Sequence, residues 1–231
     1  MKKILFLMVF LVALVGCKQE KSNVSVDTSQ QITDSIFNEK FYNDSVAADN
    51  EKKELEKKRL EEARLDSISK VETEKTIKEL SRYFTFRKDE FSNDDRVWVE
   101  PKDAPKYLNR NGIYCYFQTN NDKASNLRLK IQYTADDWLF IRYYVFSIDG
   151  MVYEYRPDDI ETDHKSTIWE WADNQVTSFD QSLITALMMA KSAKIRYVGR
   201  QYNKDRAITA QQLLSIKRTV QLYRAMGGRI N

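Results

Sequence analysis

The run from residue 49 to about residue 82 restricts the fold of this 231-residue chain most strongly, because it is rich in Glu, Lys, Arg, Leu and Ala and lacks Gly and Pro. Most of these residues are strong helix formers. Glu54 with Lys58 and Glu74 with Lys78 are four positions apart with the acid first, an order that adds about 0.2–0.5 kcal/mol per pair. The run predicts a long charged helix.

The apolar residues of this run decide whether the helix is a coiled coil. A coiled-coil seam needs spacings that alternate between three and four over several heptads. The observed spacings are 5, 5, 3, 3, 6, 3 and 4. They separate Leu55, Leu60, Leu65, Ile68, Val71, Ile77, Leu80 and Phe84. The pattern favours a solvated spacer in a monomer, about 50 Å long at 1.5 Å per residue, over a structural coiled coil, which is kept as an alternative.

Residues 1–16 have the features of a secretory signal, since Lys2 and Lys3 precede an apolar run from Ile4 to Val15. Spanning a bilayer takes about 20 apolar residues, so a transmembrane anchor is disfavoured. The segment Leu14-Val15-Gly16-Cys17 resembles the lipobox of bacterial lipoproteins. The resemblance implies that residues 1–16 are removed and that Cys17 carries acyl chains. It also implies an anchor in the bacterial cell envelope, either at its periplasmic face or at the cell surface.

Three further segments follow the signal. Residues 17–48 are rich in Ser, Asn, Asp, Gln and Lys, a composition that predicts a disordered, lipidated tether. Residues 49–82 form the helical spacer, and residues 83–231 form the globular domain.

Strand signals dominate the first part of that domain. From Leu127 to Thr134 apolar and polar residues alternate, which is typical of a half-buried strand. Residues 138–148 are apolar on both faces, as in a central strand, and Asp149-Gly150 predicts a tight hairpin into residues 151–156. We therefore expect three consecutive antiparallel strands.

Two capping-box spacings, Ser178 with Gln181 and Thr209 with Gln212, predict two helices near the C-terminus. Strands followed by helices indicate an α+β fold. The expected architecture is a twisted antiparallel sheet or partial sandwich with two C-terminal helices, preceded by the long charged helix.

Charge and cysteine content limit which partners and cross-links the sequence predicts. Removal of residues 1–16 takes away Lys2 and Lys3 and leaves 35 basic against 34 acidic residues, so net charge gives no reason to expect nucleic acid as a partner. If Cys17 is acylated, Cys115 has no cysteine to pair with and an intramolecular disulfide is excluded.

An acidic loop is the weak candidate for a metal site and an enzyme. With Asp159 at position 1 of a calcium loop, Glu161, Asp163 and Glu170 occupy positions 3, 5 and 12. Position 6 is His164 where the sharp turn requires Gly. A solvated loop is therefore favoured, and an envelope hydrolase or metal-assisted enzyme at this loop is kept as an alternative.

Other catalytic signals are missing from the sequence. His164 is the only histidine, and no Walker loop, dinucleotide fingerprint or nucleophile elbow is present. Cys115 alternates with tyrosines in a strand pattern and is interpreted as a core residue. We predict no catalytic residue and no cofactor.

Two groups of residues are candidates for binding a partner. Basic side chains are dense near residues 191–206 and can receive an anionic polymer or an envelope protein, and two tryptophans two positions apart share a strand face. These residues are Lys191, Lys194, Arg196, Arg200, Lys204, Arg206, Trp169 and Trp171. The leading hypothesis is a lipid-anchored envelope protein that presents a noncatalytic interaction domain, with the membrane contacted through the N-terminal lipid.

Lipidation gives the first testable prediction. We expect a radiolabelled fatty acid such as palmitate to be incorporated into the wild-type protein and not into the Cys17→Ala variant, because the acyl chains of a lipoprotein are carried by that cysteine. Unlabelled, full-size wild-type protein in the membrane fraction would contradict the prediction.

Overall fold

The computed structural model describes residues 26–88 and 95–230, with the backbone alone for residues 26–36 and 38. The signal segment and Cys17 lie outside the described residues. Among the residues that are described, no helix is both long enough and apolar enough to cross a membrane. The described residues divide into two units, those up to Ala63 and those from Arg64 onward.

The elements follow one another as a long helix, ten strands and two shorter helices. They are α1 (Val26–Ser81), β1 (Phe84–Lys88), β2 (Val97–Pro101), β3 (Gly112–Asn120), β4 (Lys123–Ala135), β5 (Tyr143–Ile148), β6 (Met151–Tyr155), β7 (Glu161–His164), β8 (Ile168–Gln175), α2 (Gln181–Met189), β9 (Ala193–Val198), β10 (Asn203–Ile208) and α3 (Ala210–Ala225).

Helix α1 contains the charged run and begins earlier than predicted. Residues 26–48 were expected to be a disordered tether, but they are helical. A low apolar content argues against a packed core, not against a helix, and this segment contains neither Gly nor Pro. Helix formation is limited by nucleation, so once the run after residue 49 is helical, further turns add at little cost.

The strands form two antiparallel sheets, which confirms the α+β prediction. The order is β1-β2-β3-β4-β8-β7 in the six-stranded sheet and β10-β9-β5-β6 in the four-stranded sheet. Buried residues of both sheets, α2 and α3 form one core. Tyr133 of β4 and Tyr197 of β9 have ring centroids 5.1 Å apart, and Phe117 of β3 lies 5.5 Å from Tyr223 of α3.

The three consecutive strands expected between residues 127 and 156 are not neighbours in one sheet. The hairpin of β5 and β6 is present, but β4 pairs with β3 and β8. Residues 138–142 are not a strand: they carry the chain from one sheet to the other, with Leu139 and Ile141 buried. A continuous apolar run does not distinguish a buried strand from a buried crossover.

Glu170 of β8 fixes this crossover. Its side chain is 1% exposed, and its carboxylate accepts hydrogen bonds from the backbone N–H groups of Leu139, Phe140 and Ile141 at 2.8, 3.0 and 2.7 Å. A buried carboxylate is tolerable only when it is well hydrogen-bonded, and three amide donors meet that need here.

One helix start agrees with its prediction and one differs. Thr209 and Gln212 form the expected capping box before α3. Before α2 the reciprocal pair is Thr177 and Asp180, not Ser178 and Gln181, since the amide and hydroxyl of Thr177 donate to the Asp180 carboxylate. A short 3-10 turn at Ser178–Asp180 shifts the start of α2 to Gln181.

The Glu170 contacts generate a stability prediction. We expect Glu170→Gln to lower the free energy of unfolding by about 2–3 kcal/mol, because its amide group cannot accept the hydrogen bond from Ile141 and leaves that buried donor unpaired. Urea unfolding measures the change. Glu161→Gln, at an exposed position of β7, is the control and should change stability by about 0.5 kcal/mol or less. Equal stability of the two variants would contradict the role of the carboxylate.

Candidate functional site

The candidate site is the face of the six-stranded sheet that points away from the core, called the outer face below. It combines aromatic, charged and amide side chains, most of them half-buried. Its central residues are Trp98, Glu100, Tyr114, Tyr116, Arg128, Lys130, Gln132, Trp169, Trp171 and Asp173. Their strand neighbours point inward, as Val99, Cys115 and Leu129 show with no exposed surface.

Strand register places these side chains in rows across the sheet. Tyr114 of β3 lies opposite Lys130 of β4, which lies opposite Asp173 of β8. Directly opposed residues on one face lie about 4.5–5.5 Å apart between Cβ atoms. Residues distant in sequence therefore become immediate neighbours on the outer face.

Asp173 is the centre of a half-buried ion cluster. The Tyr116 hydroxyl donates to its carboxylate at 2.7 Å, Arg128 Nε donates at 2.8 Å, and Lys130 Nζ lies 3.0 Å away. Burial tends to raise the pKa of the Asp173 carboxyl, but hydrogen bonds from all three donors outweigh it and lower the pKa below the ordinary value of 3.8. The carboxylate is ionised and fully engaged at neutral pH.

Aromatic rings extend from this cluster toward β2. The Tyr116 ring centroid lies 5.2 Å from that of Trp98 and 6.0 Å from that of Tyr114. Burial raises the pKa of both tyrosines, and the hydrogen bond to Asp173 raises that of Tyr116 further. Both hydroxyls therefore remain protonated donors.

A depression of about 430 Å³ lies beside these rings, where the loop of residues 102–111 folds over the sheet. The loop approaches closely because Gly112 has no side chain: a Cβ there would lie 2.6 Å from Pro105 Cγ and 3.2 Å from Gln132 Oε1. Asn111 secures the loop through hydrogen bonds to the backbone of Thr134.

Gln132 lines the depression with an unsatisfied acceptor. The side chain is 1% exposed, and its Nε2 donates to the Tyr107 carbonyl at 3.3 Å. Its Oε1 is buried without a hydrogen-bond partner in the described chain. Buried polar atoms are normally paired, so this oxygen is an exception on the outer face.

The tryptophans predicted from the sequence do lie on this face. Trp169 is opposite Thr134 and Trp171 is opposite Gln132, and both are half-buried. The Trp169 Nε1 is also buried without a partner among the described residues. Both rings lie on β8, the strand next to β4, whose Lys130 and Gln132 line the depression.

The predicted basic residues do not form one surface. Lys194 and Arg196 alternate with the buried residues of β9, whereas Lys204 and Arg206 of β10 lie opposite the buried Tyr197 and Ile195. Lys194 and Arg196 therefore face away from the core. Lys204 and Arg206 are exposed, but they lie on the same side of the sheet as the core. Arg196 is also paired with Asp205, at 2.7 Å.

Two predicted basic residues lie outside the strands. Lys191 and Arg200 are exposed, just before β9 and just after it. The backbone amide of Lys191 donates to Asp149 at 3.0 Å. That contact ties Lys191 to the turn after β5 through its backbone and not through its side chain.

The acidic residues proposed for calcium do not converge. Asp163 and Glu161 lie opposite Trp169 and Trp171 on the outer face, whereas Glu170 points into the core and is occupied by backbone amides. Asp159 accepts a hydrogen bond from the amide of Ile160. Among the described residues no group of three or more His, Cys, Asp or Glu side chains is placed to hold a metal ion.

The two candidate catalytic residues also lie apart from the depression. His164 is exposed, with its ring 6.0 Å from that of Trp138. Cys115 has no exposed surface, and burial raises the pKa of its thiol to about 12. It packs as the core residue that the strand pattern indicated.

Several residues of the site were not predicted from the sequence. The alternation of β4 predicts only that Arg128, Lys130 and Gln132 lie on the polar face of a half-buried strand, and no motif in the sequence marks Asp173. The available signal was the pair Tyr114 and Tyr116, which share a face with those positions. Only the pairing of β4 with β3 and β8 brings the two groups together.

The ion cluster gives a pH-dependent prediction. Because the folded pKa of Asp173 lies below its ordinary value, the cluster stabilises the fold above about pH 4 and loses this contribution as pH falls through the folded pKa. We expect Asp173→Asn to lower the free energy of unfolding by about 1–3 kcal/mol at pH 7 and to differ less from wild type below pH 3. Urea unfolding at both pH values measures this. Glu154→Gln, in the exposed pair with Arg156, should cost less than about 1 kcal/mol.

Comparison with known proteins yields no match: no protein-family model, no curated protein and no solved structure resembles the chain closely enough to be identified as a relative.

Proposed function

We propose that this chain is a lipid-anchored protein of the bacterial cell envelope whose α+β domain binds an envelope ligand, without catalysis, on the outer face of its six-stranded sheet. The lipobox resemblance at Cys17 supports the location. The composition of the outer face supports the binding role.

The observation that carries the binding role is the burial of charge and aromatic surface on a face that points away from the core. The Arg128, Lys130 and Asp173 side chains are only 25%, 17% and 16% exposed. Partly desolvated charges cost stability unless they are closely paired, and a solvated sheet face does not need them. Ordered aromatic rings and fixed polar groups around a concavity are typical of a ligand site.

The state of the polar groups favours binding over catalysis. Asp173 is engaged by three donors and is therefore a poor general base, and Tyr116 is held protonated. His164, the only histidine of the chain, is exposed at the end of β7, opposite Ile168 and not on the face that carries the two tryptophans. The fixed donors and rings can orient a ligand without exchanging protons with it.

The lipid supports the division of roles along the chain. One acyl chain binds a membrane marginally and several bind it stably, so a lipidated Cys17 retains the protein without help from the domain. The outer face is then free to engage a separate ligand.

Binding to envelope material tests the proposal. We expect the lipid-free chain, residues 17–231 with Cys17→Ser, to sediment with purified cell-wall material from the source bacterium. Trp98→Ala and Trp169→Ala should each weaken this binding about tenfold, since loss of a ring from a binding site costs on the order of 1–3 kcal/mol.

A matched control separates the outer face from the other sheet. Val152→Ala removes an exposed apolar side chain from β6, where the residue is 69% exposed, and should leave binding unchanged. Thermal unfolding checks that each variant is folded. Cosedimentation that is absent, or that both tryptophan variants retain in full, would refute the outer face as the binding site.

A further inference from the structure

We propose that the depression between the loop of residues 102–111 and the outer face is a subsite for an acidic saccharide, a sugar that carries a carboxylate or phosphate group. The inference rests on the proposed function and names its ligand. Three independent features of the depression support it: its charge, an unsatisfied acceptor and an aromatic wall.

The charge of the depression is positive. Arg87, Lys102, Lys106 and Lys130 line it together with a single carboxylate, Glu100. Asp173 pairs with Lys130 from the neighbouring row, so four bases against two acids leave a formal charge of +2. A concave site with charge of one sign attracts ligands of the opposite sign.

Most of these bases are held in place by groups of the domain. Arg87 donates to Glu100 at 2.9 Å, and Lys102 Nζ donates to the Arg82 carbonyl at 2.8 Å. Lys106 is exposed on the loop and has no ion-pair partner in the described part of the chain. Lys106 and Lys102 are therefore the bases of the depression that no carboxylate of the described chain neutralises, and Lys106 is the one on the exposed loop that an incoming acid group can reach.

The unsatisfied acceptor adds a requirement that a simple anion cannot meet. Gln132 lines the same depression, and its Oε1 is buried without a partner among the described residues. Its orientation is fixed because Nε2 donates to the Tyr107 carbonyl. An acceptor oxygen needs a hydroxyl or N–H donor, and a sugar acid supplies hydroxyl groups on the same ring as its acid group.

The aromatic wall fits a ring. Tyr114 lines the depression and is half-buried against Tyr116. The volume of 430 Å³ lies within the range of about 300–1,000 Å³ that is usual for small-ligand sites. A sugar ring against Tyr114 would place hydroxyls toward Gln132 on the floor and an acid group toward Lys106 on the loop.

Binding of defined saccharides to the lipid-free chain, residues 17–231 with Cys17→Ser, tests the inference. We expect tetragalacturonate or glucose 6-phosphate to bind in calorimetry, and the galacturonate methyl ester or glucose to bind at least tenfold more weakly. The two acids distinguish a carboxylate from a phosphate. Polyglutamate, which carries charge without sugar hydroxyls, should also bind at least tenfold more weakly.

Variants locate the binding in the depression. Gln132→Met keeps the length of the side chain and removes its acceptor, and should weaken binding about three- to tenfold, the usual effect of one hydrogen bond. Lys106→Glu changes an exposed loop residue, so it tests the site even if Gln132→Met fails to fold. Lys204→Glu makes the same charge change on β10 of the other sheet and should leave binding unaltered.

The outcomes separate this inference from the proposed function. Equal binding of polyglutamate or of the methyl ester would overturn the saccharide or the acid requirement, respectively. If neither acidic sugar binds but wall material still sediments with the protein in a Trp98-dependent way, the subsite inference fails while the binding function stands. If neither acidic sugar binds and wall material does not sediment with the protein, both the subsite and the proposed binding function are overturned.

Discussion

The two sheets of the domain depend on one buried carboxylate. Glu170 receives the amides of three successive residues, and among them Phe140 has a φ of +50°, a left-handed conformation that a bulky residue adopts only under constraint. Three charge-assisted hydrogen bonds are sufficient to hold such a backbone, whose strain is of order 1–3 kcal/mol. The crossover also needs room, since a Cβ on Gly199 would lie 2.2 Å from the Leu139 carbonyl oxygen. The turn between the sheets is thus specified by a carboxylate on one side and a missing side chain on the other.

The same strand connects this constraint to the candidate site. Residues of β8 alternate, so Glu170 points inward to the crossover while Trp171 and Asp173 point to the outer face. Sliding β8 by one residue against β4 would reverse both sets at once. It would remove the acceptor from the crossover amides and would also withdraw Asp173 from Arg128 and Lys130. The fold and the outer face are therefore specified by one register.

Local patterns predicted the elements better than their arrangement. The alternation from Leu127 to Thr134, the hairpin at Asp149-Gly150 and the capping box at Thr209 each depend on neighbours within a few residues, and each is present. The crossover of the chain from one sheet to the other and the ion cluster of Asp173 both depend on distant residues. Their partners are up to 57 residues apart, which no local pattern contains. The basic residues of β9 and β10 illustrate the same limit. They are dense in sequence, but the alternation of strand side chains distributes them over two faces.

The ion cluster would favour the proposed binding of a ligand on the outer face. Asp173 orders Tyr116, Arg128 and Lys130, whose side chains would otherwise lose rotamer freedom only when a ligand arrived. These side chains therefore lose their rotamer freedom during folding, when β8 pairs with β4 in the register that also places Glu170 at the crossover. Two polar atoms on this face, Gln132 Oε1 and Trp169 Nε1, are nevertheless left without partners in the described chain. On a sheet face that served only solubility, these two atoms would be exposed and would form hydrogen bonds with water. Under the proposed function, a ligand on this face would supply the partners that these two atoms lack within the described chain.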